Sequence, residues 1–551
     1  MKQRANLLII LGLAILCAIA YSNSFYKNFQ YDDVRLIRFN FALRDPAHMK
    51  AIFSFEPFRS LSTVSYAIDF AISGKETTSY HVTNILLHFC NVTVFFLLLR
   101  RLSDNVVFGA IAAALMAVHP LNTESVTYIA GRSILLCALF YLLSLYAFDS
   151  FLRSGRKYFL LLFSLLFLLA LLSKEEAAVI PFAALLYNFL FSRESLRKHR
   201  LFHFVTIGFV LLAGTLRIVS HLRFTPEPFA IPLSVYWPTQ MYVWLQYLWL
   251  TIFPVHLNVN HEVTPLHVYS PPFFISLAIL FSLLAALVFA ASRWSKLSLL
   301  TFFGLWFFVN LLPSSILPLT HFMAEHRIYI SLFGFCAALA YLVIAFQKAS
   351  GKNSFVITAV LLLQIFFYIG VTMIRNNIWH DEITLWTDSL EKAPHSVTTR
   401  MNLAGAYMHD FQFHNAAKQY LYVISRGLPL PGAYSGLGYC FLNEKDFEEA
   451  EKNFEEALFL DPLFTDAKTG LGIVAYEQNR CHDALNYFDQ VYEQRRESVD
   501  LLRMMAECSM KTGDYESAIR YIKKGIAIDP SEHHWKKQLH EMRGITHEQQ
   551  K

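Results

Sequence analysis

Residues 355–404 read FVITAVLLLQIFFYIGVTMIRNNIWHDEITLWTDSLEKAPHSVTTRMNLA, and the nature of the chain changes inside them. Phe355 to Ile374 is apolar but for two threonines and a glutamine, matching the ~20 residues a helix needs to cross hydrocarbon. Arg375-Asn376-Asn377 closes that run. Asp381 to Lys392 then mixes charged and apolar residues as a half-buried helix does, and Ala393-Pro394 ends it. From Val397 onward the charge content is that of an ordinary soluble helical protein. The chain therefore reads as a membrane part followed by a soluble part.

The composition agrees with that division. Of 551 residues, 55% are hydrophobic and only 16% are charged, against about 25% charged in soluble domains. The shortfall lies before about Arg375. Apolar runs there cover 5–22, 80–100, 106–120, 133–152, 157–173, 175–192, 203–221, 273–291, 297–316, 328–347 and 355–374. Each is predicted to span, giving about 11 spans. The first follows Lys2 and Arg4, and Tyr21–Ser24 lacks a small-x-small cleavage site, so it is expected to be an uncleaved anchor.

Lys and Arg collect on the cytoplasmic side of membrane proteins. Lys2/Arg4, Arg100/Arg101, Arg153/Arg156/Lys157, Arg193/Arg197/Lys198/Arg200, Arg293/Lys296 and Lys348/Lys352 alternate consistently if residues 238–253 do not cross. That segment is therefore expected to be interfacial or re-entrant, with Trp237, Trp244, Tyr247 and Trp249 as anchors. The predicted topology has the N-terminus inside and the C-terminal part outside. It places the loops 23–79, 121–132, 173–176, 222–272 and 317–327 on one outer face.

Downstream, small residues recur 34 apart at Ala404, Gly438, Gly472 and Ala506, and again at Ala416, Ala450, Ala484 and Ala518. Leu403, Leu437, Leu471 and Met505 keep the same spacing, as do Tyr420, Phe454, Phe488 and Ile522; Pro462 and Pro530 close their units. This is the tetratricopeptide pattern, an α-solenoid of helix pairs. Four units are expected, starting near Val397, Pro431, Thr465 and Val499, with the 381–392 helix as a cap. The predicted fold class is all-α, a polytopic membrane helix bundle followed by this solenoid. Its predicted domains are 1–378, a connecting or capping helix at 379–396, and repeats over 397–551.

Several functions lose support. A net charge of +5 without a basic block interleaved with aromatics argues against nucleic acid. The seven cysteines show no CxxC spacing and do not fix a redox compartment. No acidic or basic residue is read deep inside a span, which counts against a transporter.

The polar residues of the outer loops carry what chemistry there is. Asp32-Asp33 lie about ten residues beyond the first span, with Tyr31 before them and Arg35 and Arg38 after. Paired carboxylates at a membrane surface suit a base for an acceptor hydroxyl, and neighbouring acids raise each other's pKa. Lys174 and Arg327, at the ends of spans, suit a lipid-linked phosphate, which Arg holds bidentately. Glu124 and Arg132 share another loop. His256, His261 and Glu262 are spaced loosely; a divalent metal stays open there, and no cofactor is required by the pattern.

Tyr31-Asp32-Asp33, Phe58-Arg59-Ser60-Leu61-Ser62, Tyr80-His81-x-x-Asn84-x-x-x-His88, His119-Pro120-Leu121-Asn122-Thr123-Glu124 and Gly131-Arg132 occur in that order. Ser173-Lys174-Glu175, Phe253-Pro254, Glu325-His326-Arg327-x-Tyr329, Trp379-x-Asp381 and Leu385-Trp386 follow. With the repeat array, this set resembles the membrane O-mannosyltransferase family with transmembrane and tetratricopeptide regions, including its bacterial relatives. The resemblance implies a GT-C fold and transfer of a sugar, a hexose such as mannose, from a polyprenyl-phosphate donor. The acceptor would be a Ser or Thr hydroxyl of exported proteins. Asp32 and Asp33 would be catalytic, with Lys174, Arg327, Glu325, Arg59 and Arg132 around the donor phosphate and substrate. It also implies a multi-pass protein with its repeats outside the cytoplasm: the periplasm for a bacterial inner membrane, the lumen for endoplasmic reticulum. The short array and the Glu325-His326-Arg327 form favour the former. The sequence departs from the family at Asn260, where many relatives are acidic. The same chemistry on a lipid or cell-wall glycan, and a non-catalytic scaffold, are the alternatives.

Overall fold

The structure, a computed structural model, describes residues 2–25, 28–38, 40–44, 49–224, 231–316, 318–351, 354–492 and 498–528. Lys352, Pro530 and residues 225–230 of the second long loop lie outside them. Among the described residues every regular element is helical. The chain divides into two compact units, Met1–Ala393 and Pro394–Lys551.

Each of the eleven apolar runs is helical, but not each is one long helix. Six helices are long and apolar enough to cross a membrane: Gln3–Ala20, Thr78–Ser103, Ile129–Ser154, Pro271–Arg293, Glu325–Ser350 and Ser354–Ile378. Val106–Val118 and Pro120–Val126, bent by 55° at His119, form a seventh if counted as one span. Tyr158–Leu171, Arg200–Leu216 and Ser298–Val309 are apolar but shorter. The protein is thus a membrane protein, with six or seven full-length candidate spans. The 175–192 run is interrupted by a tight turn, Glu175–Val179, before the helix Ile180–Phe191. Residues 238–252 belong to the helix Leu233–Ile252, which Phe253 closes; its Trp244 and Tyr247 are buried while Trp237 and Trp249 are exposed.

Helix ends follow local chemistry. Asn105 caps Val106–Val118 by accepting from the N–H groups of Val107 and Phe108. Gly155, at φ +69°, lets the chain leave Arg132–Ser154 in the left-handed region. Near that end Asp149 is buried, unlike the expectation of no buried charge in a span. Its carboxylate pairs with Arg101 and Arg153 and accepts from the Tyr187 hydroxyl at 2.6 Å.

At the opposite end of that helix, Gly131 is fixed by crowding. A Cβ there would lie 2.5 Å from the Ser125 carbonyl oxygen and 2.8 Å from that of Glu124. Gly131→Ala is expected to cost about 1–3 kcal/mol by overpacking, read as a lower melting temperature of the detergent-solubilised chain.

In the second unit, helix pairs begin at Val397, Pro431, Thr465 and Val499. In the second and third pairs the first helix crosses an aromatic from the second helix of the same or preceding pair. A Cβ on Gly438 would meet the Phe454 ring at 2.8 Å, and one on Gly470 would meet it at 2.3 Å. Phe454 is fully buried between them. Phe454→Ala should cost about 3–5 kcal/mol, seen as loss of a cooperative helical melt in the isolated unit. The turn within each pair has a left-handed residue at the same register: Phe411 (φ 59°), Lys445 (63°), Asn479 (60°) and Gly513 (82°).

The helix Glu382–Lys392 groups with the first unit. Leu385 and Trp386 are buried, and Lys392 Nζ donates to the Leu257 carbonyl at 2.7 Å.

Candidate functional site

The acidic pair sits on a short turn whose entry is strained. Tyr31 has φ +49°, unusual for a bulky side chain. The backbone is held there from several sides. Tyr31 N–H donates to Glu382 Oε1 (2.8 Å), Asp32 N–H to the Tyr128 hydroxyl (3.0 Å), and Gln30 Nε2 to the Trp379 carbonyl (2.5 Å). Tyr128 stacks on Trp379, and Tyr31 meets Trp386 edge-on.

The two carboxylates differ. Asp33 is 1% exposed, with Oδ1 accepting from Ala130 N–H (2.7 Å) and Oδ2 from Gln30 N–H (3.2 Å). Asp32 is exposed. Burial pushes the Asp33 carboxyl well above the usual carboxylate range; the two N–H donors oppose this, and the charge of Asp32 adds a smaller upward push. Adjacent charge, expected from the sequence to be the cause, is secondary. A carboxyl with a raised folded pKa binds its proton more tightly when folded, so its contribution to stability is fullest at low pH. That contribution is lost as pH rises through the folded value. Melting temperature should therefore fall with rising pH above the usual carboxylate range, and Asp33→Asn should flatten the fall.

Segments distant in sequence meet at this end of the bundle. Leu61 N–H donates to the Leu172 carbonyl, and Arg59 pairs with Glu175 at 3.2 Å. Lys174 is buried with its Nζ 2.9 Å from Glu176 Oε1. Glu124 Oε1 lies 2.5 Å from His326 Nδ1, and its Oε2 accepts from His326 N–H. Lys174, Glu124 and Arg327 all act electrostatically on His326, and Asp32 and Glu124 both act on Tyr31. Arg327 is part-buried, with one N–H given to the His321 carbonyl.

Two predicted residues are placed differently. Arg132 is 0% exposed; it pairs with Asp69 at 2.5 Å and donates to Asn84 Oδ1, Ser65 Oγ and the Tyr80 carbonyl. Its guanidinium also lies over the Tyr66 and Tyr80 rings. It braces the bundle beneath the acidic turn. Glu325, also 0% exposed, accepts from Asn258 N–H (2.6 Å), meets His261 Nε2 (3.0 Å) and faces Arg375 (3.7 Å). Arg375 in turn holds Asp388, which Lys392 also pairs. Glu325 thus fixes the 257–261 loop. Among the described residues no three His, Cys, Asp or Glu side chains gather as metal ligands, and His261 is engaged by Glu325.

The Glu124–His326 pair was the larger omission from the sequence-derived site. Both residues stand in the quoted motifs, but 202 positions separate them and nothing local joins them.

Fold and site together define a polytopic helical membrane protein that gathers carboxylates and cations at one end of its bundle and carries a helical repeat. The profile of dolichyl-phosphate-mannose-protein mannosyltransferases matches residues 64–217. Two tetratricopeptide repeat profiles match 431–464 and 475–539. Protein O-mannosyl-transferase F38B6.6 of Caenorhabditis elegans is 27% identical over 449 residues, covering 75% of this chain and 62% of that protein. Protein O-mannosyl-transferase TMTC3 of Homo sapiens is 26% identical, covering 94% of this chain and 61% of its own. The resemblance read from the ordered motifs is thus borne out. The chain spans about three-fifths of the length of these curated relatives. Among solved structures, the tetratricopeptide protein YrrB aligns with 29% of this chain and 81% of its own, at 18% identity and a TM-score of 0.24.

Proposed function

We propose that the chain is a membrane glycosyltransferase that moves a hexose, mannose by analogy with its relatives' name, from a polyprenyl-phosphate donor to a Ser or Thr hydroxyl. The observation that carries this reading is the pairing of an exposed Asp32 with a buried, backbone-anchored Asp33, at the end of the bundle that also holds Lys174 and Arg327. Asp32 takes the hydroxyl proton. The hydroxyl oxygen bonds to the anomeric carbon from the face opposite the phosphate, and the bond from that carbon to the phosphate oxygen breaks with its electron pair. Polyprenyl phosphate leaves as an anion, which Lys174 and Arg327 stabilise. Glu124 and His326 hold the neighbouring loops in register.

In this reading residues 1–378 form the transferase domain, 379–396 the connector and 397–551 an array that holds the protein acceptor. The reaction faces the non-cytoplasmic side, the periplasm in a bacterial inner membrane, as the distribution of Lys and Arg supports. The test supplies membranes with labelled polyprenyl-phosphate mannose and compares glycosylation of exported proteins by mass spectrometry with and without the chain. Label on Ser or Thr only when the chain is present is expected. Label confined to lipid or cell-wall glycan would move the acceptor assignment, and none at all would leave the scaffold alternative.

A further inference from the structure

A cavity of about 830 Å³ lies at the end of the bundle remote from the acidic turn. One of its walls is Phe151, Leu152 and Gly155, at the end of the Arg132–Ser154 helix, which is entered through the Ile129–Gly131 turn whose Ala130 supports Asp33. That helix has 23 residues and so rises roughly 35 Å at 1.5 Å per residue, close to the ~30 Å hydrocarbon thickness. The cavity therefore sits at the other bilayer interface.

Its lining is amphipathic. Phe151, Leu152 and Leu160 supply apolar surface, and His199 packs edge-on against Phe151 at 4.8 Å. Lys157, just before the Tyr158–Leu171 helix, and Lys198, at the end of the Arg193–Lys198 helix, bring two exposed cations to it, and Ser192 and Ser195 also line it. Glu194 is the one acid lining it. Asp149, the nearby buried carboxylate, is already covered by Arg101 and Arg153, so it does not neutralise the lysines. Arg156, Arg193, Arg197 and Arg200 extend the positive surface on the same two segments. Beyond Lys157, the Tyr158–Leu171 helix exposes Leu161, Leu165 and Leu168 outward.

We propose that this cavity seats the phosphate headgroup of an anionic phospholipid from the leaflet opposite the acidic turn, between Lys157 and Lys198, with an acyl chain running along Leu161, Leu165 and Leu168. Basic pockets between spans recognise such headgroups, and the apolar exit selects a lipid over free phosphate.

The experiment places the full chain in nanodiscs of phosphatidylcholine with a minor fraction of phosphatidylglycerol. Lipid co-purifying after detergent extraction is then counted by native mass spectrometry. The wild type should retain phosphatidylglycerol in preference to phosphatidylcholine. Lys157→Gln/Lys198→Gln should weaken that preference about thirtyfold, while the melting temperature stays unchanged. Arg293→Gln/Lys296→Gln, on another basic loop, should keep it. Equal retention by the Lys157/Lys198 variant, or an equal loss from the Arg293/Lys296 variant, would overturn the proposal. So would displacement of the lipid by millimolar inorganic phosphate, which would make the cavity a site for the free ion.

Discussion

Asp32→Asn is expected to lower the rate of sugar transfer by about 10²–10⁴-fold, with donor binding little changed. The substitution keeps the shape of an exposed side chain and the Asp32 N–H bond to Tyr128, so it removes basicity and little else. Asp33→Asn acts differently. Its carbonyl oxygen still accepts from Ala130 N–H, but the new amide NH₂ faces the Gln30 N–H in place of an acceptor. The expected result is a smaller fall in rate with about 1–3 kcal/mol of lost stability. Single-turnover transfer from labelled donor, measured beside thermal unfolding, separates the two roles. Full transfer by the double variant would sink the catalytic assignment, and an inactive Asp33→Asn beside an active Asp32→Asn would reverse the roles.

Arg132→Met is the second large effect, and it is one of stability. Removing the cation leaves Asp69, only 2% exposed, without its ion-pair partner, and takes from Asn84 Oδ1 the donor that Arg132 supplies. Breaking a buried pair from one side costs about 3–5 kcal/mol. Replacing both partners, Arg132→Met with Asp69→Leu, should recover much of that loss, because no buried charge then remains. Thermal unfolding in detergent reads both. A single variant as stable as wild type would show that Arg132 is no brace, and would return it to the candidates for donor phosphate.

The apolar runs were legible because hydrocarbon demands length and composition. Their subdivision was not. Within a membrane part every helix face is apolar, so periodicity does not mark where a run breaks, and the turn at Glu175–Val179 disappears into the 175–192 run. The acidic pair was legible as a pair. Which member is buried was not, since consecutive residues of a helical turn face about 100° apart and only the partners 97 positions away at Ala130 decide it. The role of Arg132 was hidden for the same reason, with its ion-pair partner Asp69 on another helix. In the repeats, spacing revealed the helix pairs, but not the left-handed turns. Phe411 and Lys445 occupy a conformation that favours glycine, and only Gly513 advertises it.

The turn that carries Asp32 is stitched to the chain 351 positions later, where Glu382 receives the Tyr31 N–H. During synthesis at about 5–20 residues per second, that separation is roughly 20–70 s. Through that interval the carboxylates exist but the turn that aims them does not. A nascent chain halted before Trp379 would carry Asp32, Asp33 and the whole last span, Ser354–Ile378, yet lack the Trp379 and Glu382 contacts that hold the turn, so on the proposed function the segment just after that span is what arms the site.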